Sequence, residues 1–531
     1  MTISFLHRLH GYLDTAPAMW AAQRLLEKKP TLAAVHLAHA LLRQTLALSP
    51  FDTDLANLLS TLSRQAGISW HRPLANAQCT KHQLLDPECS NGICVEKLTA
   101  TSPDTRHLLL SNMWTEGQAA EIFLQGAKHV AKTDPENPGL PLLTWALHAL
   151  GDHDGVRHAL KHAQESFLAA NLCAHVAWEY GDEQTARACL LRSLSLEPAQ
   201  PHVIEKLAQL GLLRMTLPDP NDFKTHILFY TFNKLDTTLN TLQSLLDSDI
   251  GHARITVLNN GSTLFSPEEF AAGVARTAQG RAVEVIQLPI NIGAPAARNW
   301  LYHLPQVREA RYVVFLDDDV LLPKNWLRLY LQDLQDHPEV CAVGPKGINP
   351  NPFRTIQYVY RYFQEVGERK IRFTNNAPMV WDLGQFDGRR PCLSVMGCCH
   401  MFDRKKLSRL GVPDFDVRFT PSQVDDLERD IQIWKKGGQV LYDGRVEVVH
   451  MQDAGRAAPK TEAAWGHVWG NHMKMEAKFT GRELDEIDRK VKAAEEKHWQ
   501  DCLAKAWDHL PETCRTFWCQ QAADSIPGKK V

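Results

Sequence analysis

Tyr312-Val313-Val314-Phe315-Leu316-Asp317-Asp318-Asp319-Val320-Leu321-Leu322-Pro323 is the stretch whose reading decides the fold of this chain. Its apolar half, β-branched and aromatic without a polar interruption, reads as a strand buried on both faces, and it stops abruptly at three consecutive carboxylates. Strands of that kind belong to parallel sheets covered by helices, and such sheets bind ligands at the carboxyl ends of their strands. Three adjacent carboxylates repel one another, so a cation is expected among them. A divalent metal holding a phosphate is the simplest candidate, and a solvated acidic turn is the plain alternative.

Working towards the N-terminus, residues 226–233 read as a first strand, and Leu235, Leu239, Leu242 and Leu246 line one face of the helix after it. A second strand begins at Ile255 and runs into the turn Asn259-Asn260-Gly261-Ser262-Thr263, and Val283-Glu284-Val285-Ile286 is a third. The segment 291–299 opens a helix, with Pro295 suited to its first turn. Strands alternating with helices predict an α/β domain with a mostly parallel, Rossmann-like sheet, and polar loops at the strand ends make a nucleotide site by default geometry. On the C-terminal side, Asp425 and Asp426 start a helix whose apolar face is Leu427, Ile431 and Trp434 and whose end is marked by Gly437-Gly438. Carboxylates at a helix start complement its dipole, which by itself explains their type; the same position holds a carboxylate in place and keeps it ionised.

Residues 1–215 carry almost no strand signal and many short helical periods, broken by a polar, Cys- and Pro-containing insertion at about 67–108. Ala146-Leu147-His148-Ala149-Leu150-Gly151-Asp152 is answered thirty residues later by Ala177-Trp178-Glu179-Tyr180-Gly181-Asp182, each followed by a second helix. The pattern is similar to tetratricopeptide-type helix pairs, which stack and can leave a groove for an extended peptide; a plain helical domain is the alternative. Leu217-Pro218-Asp219-Pro220-Asn221-Asp222 is the best boundary in the chain, giving a helical-repeat domain at 1–215, an α/β domain at 222–480 and a helical extension at 481–531, with a long charged helix packing through Leu484, Ile487, Val491 and Leu503.

With 531 residues, 44% apolar and 22% charged, the chain has the composition of a globular protein of two or three domains. A formal net charge of −3 gives no electrostatic reason to expect nucleic acid as a partner. No apolar run reaches the length of about 18 residues that a membrane span needs, and the first residues lack the apolar core of a signal peptide. Twelve cysteines dispersed over so long a chain read as reduced thiols, so a cytoplasmic location is expected. The cluster of Cys79, Cys89 and Cys94 has spacings that match no zinc pattern, and free thiols are expected there.

Residues 226 to about 480 resemble a family 2 glycosyltransferase of the GT-A fold. The resemblance rests on seven pieces in order: Thr231-Phe232-Asn233, the turn at Asn259, Asn291-Ile292-Gly293 with Arg298-Asn299, Asp317-Asp318-Asp319, Val412-Pro413-Asp414-Phe415-Asp416, Asp425-Asp426-Leu427-Glu428 with Trp434, and Val446-Glu447-Val448-Val449-His450. It implies a metal-dependent transferase that inverts the anomeric centre while moving a sugar from a nucleotide-diphosphate sugar, UDP-sugar foremost. Asp319 and His450 are then the ligands of a divalent metal, Mn2+ or Mg2+, and Asp426 is the base, with Asp425 beside it. Thr231, Asn233, Asn259, Arg298, Asp317 and Asp318 form the nucleotide-sugar site, Asp317 reaching the ribose or sharing the metal. The chemistry agrees: a leaving diphosphate needs a cation, and an acceptor proton needs a base on the far side of the sugar. The family usually carries Asp where this chain has Asn259, which accepts a hydrogen bond but adds a donor and no charge, so uracil is held less strongly or another base is used.

Arg354, Tyr358, Tyr360, Arg361, Tyr362, Trp381 and Asp382 are expected on the acceptor side or, equally, as partly buried aromatics, and Trp465, Trp469, Asn471, His472 and Lys478 as a closing segment. The acceptor is expected to be a protein or peptide held by the helical repeats, or a glycan. Two further readings compete: a helical-repeat interaction protein with a degenerate transferase domain, and a transferase acting on lipid-linked or polysaccharide acceptors. A nucleotidyltransferase needs a basic, glycine-rich loop after the first strand, which Phe232-Asn233-Lys234-Leu235 is not.

Overall fold

The computed structural model describes residues 22–23, 26, 32–48, 53–68, 128, 140–160, 166–350, 354–366, 371–373, 382–451 and 462–521. The insertion expected at 67–108 lies almost wholly outside these residues, as do Cys79, Cys89, Cys94 and Trp381. The helical region comprises α1 Leu32–Leu48, α2 Thr53–Ala66, α3 Leu140–Ala149, α4 His153–Leu160, α5 Phe167–Glu179, α6 Glu183–Leu196 and α7 Pro201–Ala208. The repeated sequence makes a repeated turn. Gly151 and Gly181 both take positive φ, and the same backbone bonds recur around them, Gly151 N to His148 O and Asp152 N to Leu147 O, then Gly181 N to Trp178 O and Asp182 N to Ala177 O. Asp182 then caps α6 by accepting from Thr185 N at 3.0 Å.

The α/β part runs β1 Thr225–Thr231, α8 Leu235–Leu246, β2 Arg254–Asn260, α9 Pro267–Ala278, β3 Val283–Leu288, α10 Ala294–Tyr302, β4 Tyr312–Leu316, β5 Val320–Leu321, α11 Trp326–Asp336, β6 Val340–Ile348 and β7 Ile356–Tyr358. It continues with β8 Phe363–Val366, β9 Ile371–Phe373, β10 Arg389–Cys392, β11 Cys399–Asp403, α12 Arg404–Leu410, α13 Asp425–Lys435 and β12 Gln439–His450; α14 Glu462–Lys478, α15 Gly481–Ala506 and α16 Glu512–Gln521 follow. One sheet has the order β10-β12-β6-β11-β4-β1-β2-β3, with β5 on β12 and β7 on β6. Strand β4 is central, and every one of its side chains is buried, as its unbroken apolar run requires.

The expectation of a mostly parallel sheet holds for β3, β2, β1 and β4, and again between β6 and β12, and is broken where β11 and β10 enter. Strand β11 enters antiparallel to both β4 and β6, and β10 is antiparallel to β12, so the sheet is mixed. An apolar run records burial on both faces but not direction, which is why β11, with Cys399 and Met401 fully buried, reads like its parallel neighbours. Two backbone features bring distant residues to the carboxyl end of β4. Val320 of β5 pairs with His450 of β12, and Met451 N donates to Asp319 O at 2.8 Å.

Helix α15 belongs to both halves. Leu484, Ile487 and Val491 pack in a cluster with sheet residues, whereas Trp499 and Ala506, with Trp518 of α16, pack with α1, α2, α6 and α7. The seam also holds polar contacts: Lys206 Nζ lies 2.7 Å from Asp387 Oδ2, and Gln209 donates to Arg389 O and accepts from Arg389 N at 3.1 and 3.0 Å. No helix among the described residues is long and apolar enough to cross a membrane.

Two seam histidines give the fold a pH dependence. Burial, aided by Lys206, pushes His202 down to about 3, and burial with Arg390 does the same to His498. Both values lie below the ordinary 6.5, so the native state holds these rings neutral. Their contribution to stability is full above pH 6.5 and is lost as pH falls towards 3. At pH 5 the loss is about 2 kcal/mol for each ring. Urea unfolding is expected to show this fall between pH 7 and pH 5, and His202→Gln to reduce it by about 2 kcal/mol; an unchanged slope in that variant would contradict the assignment.

Candidate active site

The carboxyl ends of β1, β2 and β4 lie side by side, with Thr231 opposite Asn259 and Phe229 opposite Leu316. From this edge Asp317, Asp318 and Asp319 project together. His450 Nε2 stands 3.0 Å from Asp319 Oδ1 and 3.8 Å from Asp317 Oδ2. One ligand atom from each of Asp317, Asp319 and His450 lies within 4.8 Å of the others, so the two residues expected to hold a metal are adjacent and Asp317 stands with them. Two carboxylate oxygens and an imidazole nitrogen suit a divalent cation.

The electrostatics fit a cation-seeking cluster. Burial would raise Asp319, but the hydrogen bond and charge of His450, with those of Lys234, outweigh it and hold the carboxyl at about 2. Burial pushes Asp318 up to about 6, against the pull of Lys234. His450 is raised because its bond to Asp319 and the charges of Asp319 and Asp317 outweigh burial. Lys234 Nζ lies 2.8 Å from Asp319 Oδ2 and 3.2 Å from Asp318 Oδ1, a cation of the chain's own on these carboxylates. Gln357 of β7 fixes the histidine from behind: its Oε1 is 2.7 Å from His450 Nδ1, and its Nε2 donates to His450 O at 3.2 Å. An imidazole bonded at Nδ1 presents Nε2 to the cluster.

The second side of the site is the start of α13. Arg298 of α10, 6% exposed, donates to Asp425 in a close contact and to Asp317 Oδ1 at 3.2 Å, so one guanidinium joins the strand carboxylates to the helix start. Its carbon lies over the rings of Tyr230 and Phe415. Burial raises Asp425 against the pull of Arg298. Asp426 is less buried and points otherwise: Oδ2 accepts from Gly397 N at 3.1 Å and Oδ1 from Leu427 N at 2.8 Å. A Cβ at Gly397 would stand 3.0 Å from that of Asp426, so the backbone approaches at a distance only glycine allows without a shift. The preceding residues, Gln423 at φ 89° and Val424 at φ 58°, are in the left-handed region, which is unfavourable for a β-branched side chain. That strained entry sets the angle at which α13 presents Asp425 and Asp426.

The residues expected on the nucleotide side divide. Asn233, at φ 60°, accepts on Oδ1 from Thr263 N at 2.7 Å and Leu264 N at 3.0 Å, tying the loop after β1 to the loop after β2. Thr231 is fully buried beneath the carboxylates, bonded to Thr238 Oγ1 at 2.8 Å. Asn259 is buried as well, accepting from Ser262 N at 3.0 Å and donating to Gln287 Oε1 at 2.7 Å, so it shapes the turn that a charged side chain usually occupies in the resembling family. Within that turn, Gly261 has φ +70°, and a Cβ there would meet Ile290 C at 2.2 Å. Of the residues expected on the acceptor side, Tyr360 is a core residue, edge-on to Phe386 and Tyr442 and under the guanidinium of Arg390, while Arg354 is at the surface beside Glu447. Asn471 of α14 donates to Phe419 O and Ser422 O, and Lys478 meets Asp416 and Glu428, so α14 braces the loop ahead of α13.

Lys234 and Gln357 are the two site residues that sequence reasoning missed. Lys234 follows the matched Thr231-Phe232-Asn233 directly, and its position after a strand end was a usable signal. Gln357 sits on a three-residue strand without periodicity, and nothing local marks it.

Residues 227–411 match the family model described as Glycosyl transferase family 2. The matched span includes Arg298 and Asp317 to Asp319 and ends ahead of α13 and His450. No curated protein matches the chain. Among solved structures, one similar chain is GalNAc-T7 with UDP, GalNAc and Mn2+, at 15% identity and a TM-score of 0.36 over 45% of this chain and 46% of that one, so less than half of its length is matched. Another is the mannosyltransferase PcManGT from Pyrobaculum calidifontis in complex with GDP-Man and Mn2+, at 17% identity and a TM-score of 0.34 over 64% of this chain and 91% of that one.

Proposed function

We propose that this chain is a metal-dependent glycosyltransferase that takes a sugar from a nucleoside-diphosphate sugar and passes it, with inversion, to an acceptor deprotonated by Asp426. The observation that carries the reading is convergence: Asp317, Asp319 and His450 meet at one strand end, and Arg298 joins that cluster to the start of α13. The match of residues 227–411 to Glycosyl transferase family 2 supports it. Asp319 and His450 hold Mn2+ or Mg2+ in this proposal, with Asp317 as a third ligand or turned to the ribose. An ion bound there supplies neutralisation of the leaving diphosphate. Lys234, already beside Asp318 and Asp319, offers a second positive charge to diphosphate oxygens.

Asp426 is the base in preference to Asp425, because Asp425 is buried and committed to Arg298 while Asp426 is more open and is oriented by two amide N–H groups. The nucleoside is expected to be uridine, seated on the loops that Asn233 and Asn259 shape. The acceptor is inferred to be a protein or peptide, because the helix pairs α3 to α6 meet the sheet domain, where His175 of α5 stands 3.1 Å from Asp387. Thermal-shift measurements with UDP, GDP and ADP, each with Mn2+, together with hydrolysis of the corresponding sugar donors, test the reading. No metal-dependent shift and no turnover with any donor would reject it and favour an interaction protein.

A narrower expectation concerns Gln357. Gln357→Leu removes both bonds that orient His450, and Mn2+ affinity measured by calorimetry is expected to fall about 10- to 100-fold with the fold retained. Unchanged affinity would mean that His450 does not bind the ion.

A further inference from the structure

We propose that His148, His175 and Glu179 form a second cation site, one that takes a four-coordinate transition ion of the Zn2+ class, in the seam between the helical region and the sheet domain. His175 and Glu179 are one turn apart on α5, and His148 comes from the neighbouring α3. One ligand atom from each lies within 4.8 Å of the other two. His175 Nε2 stands 3.4 Å from Glu179 Oε1, and His148 Nε2 stands 3.6 Å from Glu179 Oε2. The two imidazoles thus face opposite oxygens of one carboxylate, each at a separation close to the about 3.3–3.4 Å between neighbouring donors of a tetrahedral site with metal bonds of about 2.0–2.1 Å.

An independent observation points the same way. The other ring nitrogen of His175, Nδ1, is 3.1 Å from Asp387 Oδ2, and Asp387 is buried and held by Lys206 and Lys346 at 2.7 Å each. A carboxylate behind a histidine, fixing the ring so that the far nitrogen faces outward, is the usual support of a metal-binding imidazole. The loop carrying Asp387 is built for that approach: a Cβ at Gly384, where φ is +67°, would stand 3.0 Å from His175 Nδ1. Trp145 packs its ring 5.3 Å from that of His175 and limits its rotation.

Two nitrogens and one oxygen suit zinc better than the hard ions expected among the strand carboxylates. Glu179 is half exposed, which gives the ion a path from solvent and leaves water as fourth ligand. With Nδ1–H held by Asp387, Nε2 is the atom of His175 that the ion takes. This site stands apart from the strand carboxylates and does not depend on the proposed transfer.

The test uses the full chain, stripped of metal, titrated with Zn2+ against a chromophoric chelator and with Co2+ followed by visible absorption. The Asp319→Ala chain is used throughout, to remove the other metal site. It is expected to bind one equivalent of Zn2+ and to give the intense absorption of four-coordinate Co2+. Adding His148→Gln or Glu179→Gln is expected to weaken binding by about 100-fold or more and to abolish that absorption. Glu179 is half exposed, so its exchange leaves the fold intact even if that of His148 does not. An Asp319→Ala chain that binds no Zn2+, or a Glu179→Gln chain that binds it unchanged, overturns the proposal and leaves these side chains as an ion pair only.

Discussion

Asp426→Asn is expected to lower sugar transfer by about 10²- to 10⁴-fold, the usual share of a positioned base, while nucleoside diphosphate still binds with Mn2+. The exchange is nearly isosteric, and an amide oxygen still accepts from either Gly397 N or Leu427 N. One of those two N–H groups then faces an NH₂ group, a local cost of about 1–3 kcal/mol that α13, buried along Leu427, Ile431 and Trp434, can absorb. Asp425→Asn behaves differently. It weakens the contact to buried Arg298 and so loosens Asp317 as well, and both binding and transfer are expected to fall. Steady-state rates beside calorimetric binding separate the two outcomes. If Asp426→Asn loses nucleotide binding in parallel with transfer, Asp426 is not the base.

Asp319→Ala is expected to abolish activation by Mn2+ and to weaken nucleoside-diphosphate binding in its presence by about 100-fold. Asp319 is the member of the triplet on which both His450 and Lys234 converge, and their bonds and charges hold it ionised. Removing it leaves His450 Nε2 with only the more distant Asp317. Asp318→Ala makes the comparison, since Asp318 faces Lys234 and carries no contact to His450. Metal-dependent binding that survives Asp319→Ala unchanged would refute its role as a ligand.

How much of this could be read in the residues differs by element. Strand β4 was legible because a strand buried on both faces must be apolar throughout, and α13 because its acidic start and Gly437, at φ 88°, punctuate both ends. The joint between them was not. Arg298 and Asp425 are 127 positions apart, and no local pattern records that one guanidinium bonds to Asp425 and Asp317 together. Thr231 and Asn259 lie where a nucleotide loop is expected, yet their polar atoms are engaged within the protein. Direction was the other illegible quantity, as β11 shows: the burial pattern of a central strand is the same whichever way the chain runs through it.

The position of α15 and α16 has a consequence for how the molecule is made. Trp518 Nε1 donates to Pro198 O at 3.0 Å across 320 positions of sequence, and Trp499 packs on helices made long before it. During synthesis the helical region and the sheet therefore wait with an uncovered apolar face each until this segment leaves the ribosome. Contacts of such sequence separation form slowly, because a long loop closes before they repay it. The C-terminal helices thus act as the last splint in an otherwise sequential assembly, and the interval before they dock is when a nascent chain is most open to aggregation or chaperone capture.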